Sequence, residues 1–228
     1  MRNLKRALSL ALASVMVLGL MVAGSSAKGY DDVTSEENVE AIEVLQAVGI
    51  MTGDDNGNFN PTQNVTRNEM AVIMSNLMDY RVATYKGTSP FTDVPEWAEP
   101  YVAACYTNGI IAGYSATTFG GSDPVVTSQA TLMILKALGY FKYSSDFGDD
   151  WQLATINQAN KVDLLVGVDS AVRVPMTRND VAQLVLNGLE TGMVEVDDSD
   201  KMNIVVGEVQ ITSGTKYVYT TSREKYAE

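Results

Sequence analysis

Residues 65–77 read VTRNEMAVIMSNL, and residues 176–189 read MTRNDVAQLVLNGL. Thr66 with Glu69, and Thr177 with Asp180, stand three apart directly ahead of an apolar run. That is the spacing of a capping box, in which the hydroxyl accepts from the third backbone N–H and the acid reaches back to the cap residue's own. The box is complete in kind for Glu69 and approximate for the shorter Asp180. Met70, Ile73, Met74 and Leu77 then recur at helical spacing. Helices opening at Thr66 and Thr177 are expected. A weaker copy, VTSQATLMILKALGY (126–140), has Ser128 where the arginine stands and Ala130 where the acid stands.

The same features precede each of these segments in the same order. The first unit runs Tyr30-Asp31-Asp32-Val33, then VLQAVGIMTG (44–53), then GNFNP before its VTRNE. The second runs Phe91-Thr92-Asp93-Val94, then YVAACYTNGIIAG (101–113), then Phe119 and Pro124. The third runs Phe147-Gly148-Asp149-Asp150, then INQANKVDLLVG (156–167), then Pro175. Three ordered sets with a period of about 50 to 60 residues define a repeat protein. Each unit reads as two helices joined by a glycine-rich loop. Val39, Ile42 and Leu45 mark one face of a first helix, and Thr34 with Glu37 suggest its cap. Two short helices cannot bury their apolar faces alone, so the hairpins are expected to pack against one another in a mostly α fold. Gly53, Gly113 and Gly167 are expected at helix ends.

Composition narrows the chemistry. The 228 residues are 46% hydrophobic and carry 16 basic against 28 acidic side chains, a formal charge of −12. There is no histidine, which removes every Ser-His-Asp or Cys-His triad and every His-ligated zinc site. Cys105 is the single cysteine, so no internal disulfide forms, and its apolar neighbours make it a buried small hydrophobe. An acidic surface is poorly suited to nucleic acid, whose phosphates need clustered Lys and Arg. The turn cluster at Asp54 fails the calcium-loop rule, with Phe59 at position 6 and Val65 at position 12. Adjacent carboxylates such as Asp54/Asp55 and Asp149/Asp150 all have turn or capping explanations. No cofactor, metal or catalytic group is indicated, and a non-enzymatic role is expected.

The two ends differ from the repeats. Arg2, Lys5 and Arg6 precede an apolar run to Ala23, and Ser25 and Ala27 occupy the small positions of a secretory cleavage site. Cleavage after Ala27 would remove three basic residues and leave 13 against 28 acids, a mature charge of −15. No later segment could span a membrane. At the other end, a polar stretch from Asp197 to Asp200 leads into MNIVVGEVQITSGTKYVYTTS (202–222), read as a β-hairpin about Ser213-Gly214. This tail either packs on the helices or begins a further domain. The expected division is a signal peptide over 1–27, repeats over 28–86, 87–143 and 144–194, and a linker with β-rich tail over 195–228.

The order F/Y-x-D-V, helix, G-I-hydrophobic-x-G, F-x-P, then T-R-x-E on a second helix resembles the S-layer homology family. YDDV, FTDV, GIMTG, GIIAG, VTRNE and MTRND carry the resemblance, from residue 30 to about 192. It implies three helical-hairpin repeats packed as a pseudo-threefold, three-pronged spindle, with a β-hairpin tail outside it. It also implies non-covalent anchoring of an exported protein to the cell surface, through an anionic secondary cell-wall polysaccharide often carrying pyruvylated sugars. The grooves between the prongs would hold the acidic sugar. Ser128 and Ala130 imply an impaired second groove. The third unit lacks a clean F-x-D-V, and Trp97 and Trp151 have no counterpart after Asp32.

The residues themselves point to both structure and ligand. A cation in the first helical turn opposes the helix dipole by about 0.3–1 kcal/mol. Arg67 and Arg178 therefore need a partner: a bound carboxylate, or an internal one such as Asp32 or Asp149. Asp32 and Asp93 either cap turns or orient sugar and arginine. Trp97 either stacks on a sugar ring or closes the apolar seam. Gly53 and Gly113 allow close approach of a ligand to backbone. The partners implied are the wall polysaccharide and other S-layer proteins, with no nucleic acid and no membrane after signal cleavage. Two other roles stay open: a structural lattice or protein-docking element, and the anchor portion of a surface enzyme whose catalytic part is absent here.

Overall fold

Apolar residues at three- and four-residue spacing produce six α-helices among the described residues. They are α1 Val39–Ala47, α2 Arg67–Leu77, α3 Glu99–Thr107, α4 Thr127–Leu138, α5 Trp151–Lys161 and α6 Arg178–Glu190. The computed structural model describes residues 29–35, 37–197, 203–206, 209–212 and 214–220. The leader expected over 1–27 lies outside them. No helix among the described residues is long and apolar enough to cross a membrane.

Side chains cap the starts of α2, α5 and α6. At α2 the box is complete: Thr66 Oγ1 accepts from Glu69 N at 3.2 Å, and Glu69 Oε2 accepts from Thr66 N at 2.7 Å. At α6 only half of it forms. Thr177 Oγ1 accepts from Asp180 N at 3.2 Å, while the Asp180 carboxylate accepts from Ser170 Oγ and, at 3.5 Å, from Asp169 N. Asp150, not Asp149, caps α5 by accepting from Gln152 N and Leu153 N. The Thr34–Glu37 pair does close, with Thr34 N donating to Glu37 Oε2 at 2.7 Å, but it lies ahead of α1 and does not cap it. Asn38 precedes α1, and its N–H donates to Asn179 Oδ1 at 2.7 Å, so a tertiary contact fixes that start.

The helix-end glycines are also displaced from expectation. Gly49 and Gly109 take the left-handed φ of 73° after α1 and α3. Gly53 and Gly113 lie four residues further on and serve close packing instead. A Cβ on Gly53 would sit 2.4 Å from Tyr30 Cε1 and 2.6 Å from Asn58 O; on Gly113, 2.3 Å from Phe91 Cε1 and 2.5 Å from Thr118 O.

The units interlock through a cycle of backbone hydrogen bonds just ahead of α2, α4 and α6. Val65 N donates to Met176 O at 3.0 Å, Met176 N to Val125 O at 2.9 Å, and Val125 N back to Val65 O at 2.8 Å. All three side chains are fully buried. Helix packing follows the same cycle: α3 lies on α2, α5 on α4, and α1 on α6. The expected hairpins are therefore not the packing units, because each first helix covers the second helix of the preceding repeat. One continuous core runs through Phe59, Met70, Met74, Phe119, Ile134, Met176 and Leu184.

This cycle also corrects the repeat register. Val65, Val125 and Met176 are equivalent, so Thr127 stands at the arginine position and Gln129 at the acid position. Ser128 matches Asn68 and Asn179, and Ala130 matches Met70; Ser128 is buried like Asn68, and Ala130 like Met70. Val126-Thr127 imitates Val65-Thr66 in residue type, which shifts the apparent alignment by one.

The tail forms two small antiparallel ladders. β1 Val194–Val196 pairs with β4 Tyr217–Tyr219, and β2 Asn203–Val206 with β3 Val209–Thr212. Val206 is opposite Val209 in the second ladder, while Ser213 of the expected turn lies outside the described residues. The tail packs on the helical body. The Tyr217 ring lies 5.1 Å from Tyr140, and its hydroxyl donates to Asp146 Oδ2 at 2.6 Å.

Candidate functional site

Helices α2, α4 and α6 each open beside the loop of another repeat, and Arg67 and Arg178 tie two of these three junctions. At α2, Arg67 Nε donates to Phe119 O at 3.1 Å and Nη2 to Ala112 O at 2.8 Å. At α6, Arg178 Nε donates to Phe59 O at 2.6 Å and Nη2 to Thr52 O at 2.8 Å. The two sets are superposable in kind: the same two loop carbonyls, 60 residues apart, receive the same two nitrogens. The partners foreseen for the arginines were Asp32, Asp149 or a ligand acid; within the chain, backbone carbonyls take that place. They offset the cation's unfavourable position at a helix start.

Aromatic rings complete the nodes. The Arg67 guanidinium lies over the rings of Phe119 (4.5 Å) and Tyr114 (4.7 Å), whereas among the described residues Arg178 has one ring, Phe59 at 4.7 Å. Arg67 is 4% exposed and Arg178 is half-buried. Burial lowers the pKa of both guanidinium groups, which nevertheless stay charged. Nη1 takes no part in either set of carbonyl bonds.

Asp32 and Asp93 have matching roles at the loops. Asp32 accepts from Phe59 N at 2.8 Å and Asn60 N at 2.6 Å; Asp93 accepts from Phe119 N and Gly120 N, both at 2.8 Å. The Phe119 bond is the main reason the Asp93 carboxyl lies below its ordinary range. Both carboxylates thus shape the loop that carries the ring beneath each arginine. Gly53 and Gly113 belong to the same loops, and Gly53 N donates to Tyr30 OH at 2.6 Å. Trp97 is 56% exposed and makes no ring contact among the described residues; it does not close an apolar seam.

The third junction is built differently. Thr127 Oγ1 donates to Ser170 O and Val174 O, and Ser128 Oγ accepts from Gln152 Nε2 at 3.1 Å. Thr127 stands where the other two helices have arginine, and no ring stack forms there among the described residues. Sequence reasoning missed Tyr114, for which the available signal was an aromatic directly after Gly113 in a loop leading to Phe119.

Comparison with known proteins agrees with this architecture. Residues 29–71 and 90–125 match the S-layer homology domain family. The surface-layer 125 kDa protein of Lysinibacillus sphaericus is 27% identical over 202 residues, 81% of this chain and 17% of that protein. A cell surface protein of Thermoanaerobacter kivui is 27% identical over 228 residues, 96% of this chain and 29% of the relative. An endoglucanase of Bacillus sp. (strain KSM-635) is 30% identical over 110 residues, 44% of this chain and 12% of the enzyme. The chain spans less than a third of the length of these relatives. Two segments of the chain are thus similar to the S-layer homology domain family, and with these surface-protein relatives they indicate a protein of the cell surface.

Proposed function

We propose that this chain anchors its protein to the wall by gripping an anionic, pyruvylated secondary polysaccharide in the junctions between repeats. The observation that carries this reading is the pair of matching arginine nodes, each built from two repeats and each with Nη1 outside its carbonyl bonds. A carboxylate suits a guanidinium, and the adjoining helix start favours an anion. In this reading Arg67 and Arg178 supply the charge, and Trp97 offers a stacking face. Gly53 and Gly113 let a sugar approach the backbone, and Asp32 and Asp93 hold the loops in shape. The repeats fall at 28–86, 87–143 and 144–194 behind a leader cleaved after Ala27. The cyclic bonds among Val65, Val125 and Met176 support a pseudo-threefold spindle. Recognition is local, since a mature charge of −15 opposes long-range attraction to an acidic polymer.

Pull-down of the mature chain by wall preparations with and without their secondary polymer tests the reading. Retention only when the polymer is present is expected; equal retention by stripped walls refutes it. The endoglucanase relative favours one companion role, in which the module serves as the anchor portion of a longer surface enzyme. A reading frame continuing past residue 228 into a catalytic domain would establish that version.

A further inference from the structure

Three Asn-Gly pairs occur in the chain: Asn56-Gly57, Asn108-Gly109 and Asn187-Gly188. Glycine has no Cβ to shield its amide nitrogen, so that nitrogen can approach the side-chain carbonyl of the preceding asparagine. The structure treats the three pairs differently. Asn187 is 8% exposed within α6; its Nδ2 donates to Leu164 O and Val166 O, and its Oδ1 accepts from Gln183 Nε2. Asn108 is exposed at the end of α3, but its Nδ2 donates to Ala104 O at 2.8 Å and to Tyr85 OH at 3.1 Å. Asn56 is exposed, and among the described residues its side-chain amide makes no hydrogen bond.

The Gly57 side is equally open. Gly57 takes a left-handed φ of 82°, and a Cβ there would meet nothing within 4 Å. Its N–H donates to Asp54 O at 3.0 Å, a single bond across an exposed turn that local opening breaks readily.

We infer that Asn56-Gly57 is a site of spontaneous deamidation and isoaspartate formation, and that the product loosens the Arg178 node. The Gly57 nitrogen, its proton taken by solvent base, bonds to Asn56 Cγ. The Cγ–Nδ2 bond breaks, and Nδ2 leaves as ammonia. The resulting cyclic imide takes up one water. Opening at Cγ gives aspartate; opening at the backbone carbonyl gives isoaspartate, with one extra carbon in the main chain. Water is the co-reactant, and no electrons are exchanged.

Either product adds a carboxylate next to Asp54 and Asp55, and isoaspartate also displaces the main chain. The turn depends on that main chain: Asp54 accepts from Asn56 N and Asn58 N, both at 2.9 Å, and Asp54 N donates to Asn58 O at 2.8 Å. On either side of the turn, Thr52 O and Phe59 O receive the Arg178 guanidinium. The equivalent stretch of the Arg67 node runs Tyr114-Ser115-Ala116-Thr117-Thr118, with no asparagine. Ageing therefore acts on one of the two arginine nodes, the one that joins the third repeat to the first.

Peptide mass mapping of the mature chain during storage in warm, mildly alkaline buffer tests this, with isoaspartate read by enzymatic methylation. Asn56 should convert about tenfold faster than Asn108, or more, because two bonds must break to free the Asn108 amide. Asn187 should stay intact. In urea the three should convert at similar rates, since each precedes glycine. The aged parent should melt below the fresh one, by no more than Arg178→Ala does. Asn56→Ala removes no side-chain bond, so an aged Asn56→Ala chain should melt like a fresh one. A folded chain in which Asn108 or Asn187 converts as fast as Asn56 overturns the assignment of the site. So does an Asn56 that stays intact in the folded chain while the unfolded chain converts. Equal melting of aged parent and aged Asn56→Ala overturns the link to Arg178.

Discussion

Replacing Arg67 by alanine should destabilise the chain more than any other single change in the two nodes. The substitution removes two charge-assisted bonds, to Phe119 O and Ala112 O, and two ring contacts. Bonds from a charged donor contribute roughly 1.5–3 kcal/mol each, and each ring contact about 0.5–1 kcal/mol or more when desolvated. Not all of this is lost, because Ala112 is exposed and its carbonyl regains water. Phe119 is fully buried, and its carbonyl is left unpaired at a cost of about 1–3 kcal/mol. A net loss of about 3–5 kcal/mol follows, a large part of the roughly 5–15 kcal/mol that holds a typical domain folded. At about 2–4 °C per kcal/mol for a chain of this size, melting should fall by roughly 6–20 °C. Arg178→Ala breaks two equivalent bonds but only one ring contact at a half-buried site, so about 2–3 kcal/mol is expected. Arg67→Lys should resemble Arg67→Ala, since an ammonium cannot reproduce the planar fork. Urea unfolding of the four proteins measures the series. An Arg67→Ala chain within about 1 kcal/mol of the parent, or one more stable than Arg178→Ala, would refute the assignment of these bonds as inter-repeat ties.

A chain ending at Tyr140 loses Met176 and the α6 partner of α1, so it should unfold or aggregate; a melting temperature equal to the parent's would disprove the shared core. Cys105 is buried against Ser75 and Ala71, and burial pushes its thiol up to about 12. Alkylation at pH ~8 should therefore be negligible until denaturant unfolds the chain, and rapid native labelling would contradict the packing. The tail contact should respond to pH in both directions. Burial works against ionised Asp146, but bonds from Thr215 and Tyr217 keep its pKa below the ordinary 3.8, while burial and Asp146 push Tyr217 up to about 12. A depressed acid contributes above its unfolded pKa and a raised phenol below its own, so docking is strongest between them. The near-UV circular dichroism of the Tyr140–Tyr217 pair should stay level from pH ~5 to ~9 and fall below pH ~3; Asp146→Asn should reduce it at neutral pH. A parent signal already falling at pH ~6 would exclude Asp146 as the controlling group.

What could be read from the sequence was what the backbone decides locally. Thr66 and Glu69 lie within one turn of each other, so their box needed no knowledge of the rest of the chain. The buried run Met70, Ile73 and Met74 was legible for the same reason, through its period. The register of the second repeat was not, because Val126-Thr127 has the residue types of Val65-Thr66 and only the buried positions further along α4 distinguish the two alignments. The partners of Arg67 and Arg178 were hidden as well, since the sequence does not advertise carbonyl acceptors as it does carboxylates. Asp32 and Asp93 were found as matching positions, but their bonds to backbone N–H groups 26 to 28 residues away depend on how the loop folds back.

The cycle of bonds through Val65, Met176 and Val125 has a bearing on how many repeats such a module can contain. In an open solenoid every unit leaves a fresh face for the next, so length is free to vary and the terminal units need polar caps. Here the third unit donates to the second while accepting from the first, and α1 occupies the face of α6 that a fourth unit would require. Copy number is fixed by closure: a duplicated repeat cannot be added in line, and must either displace an existing one or start a second ring. For the same reason, two chains can trade a unit only as an even exchange, each ring receiving from its partner the piece it gave up.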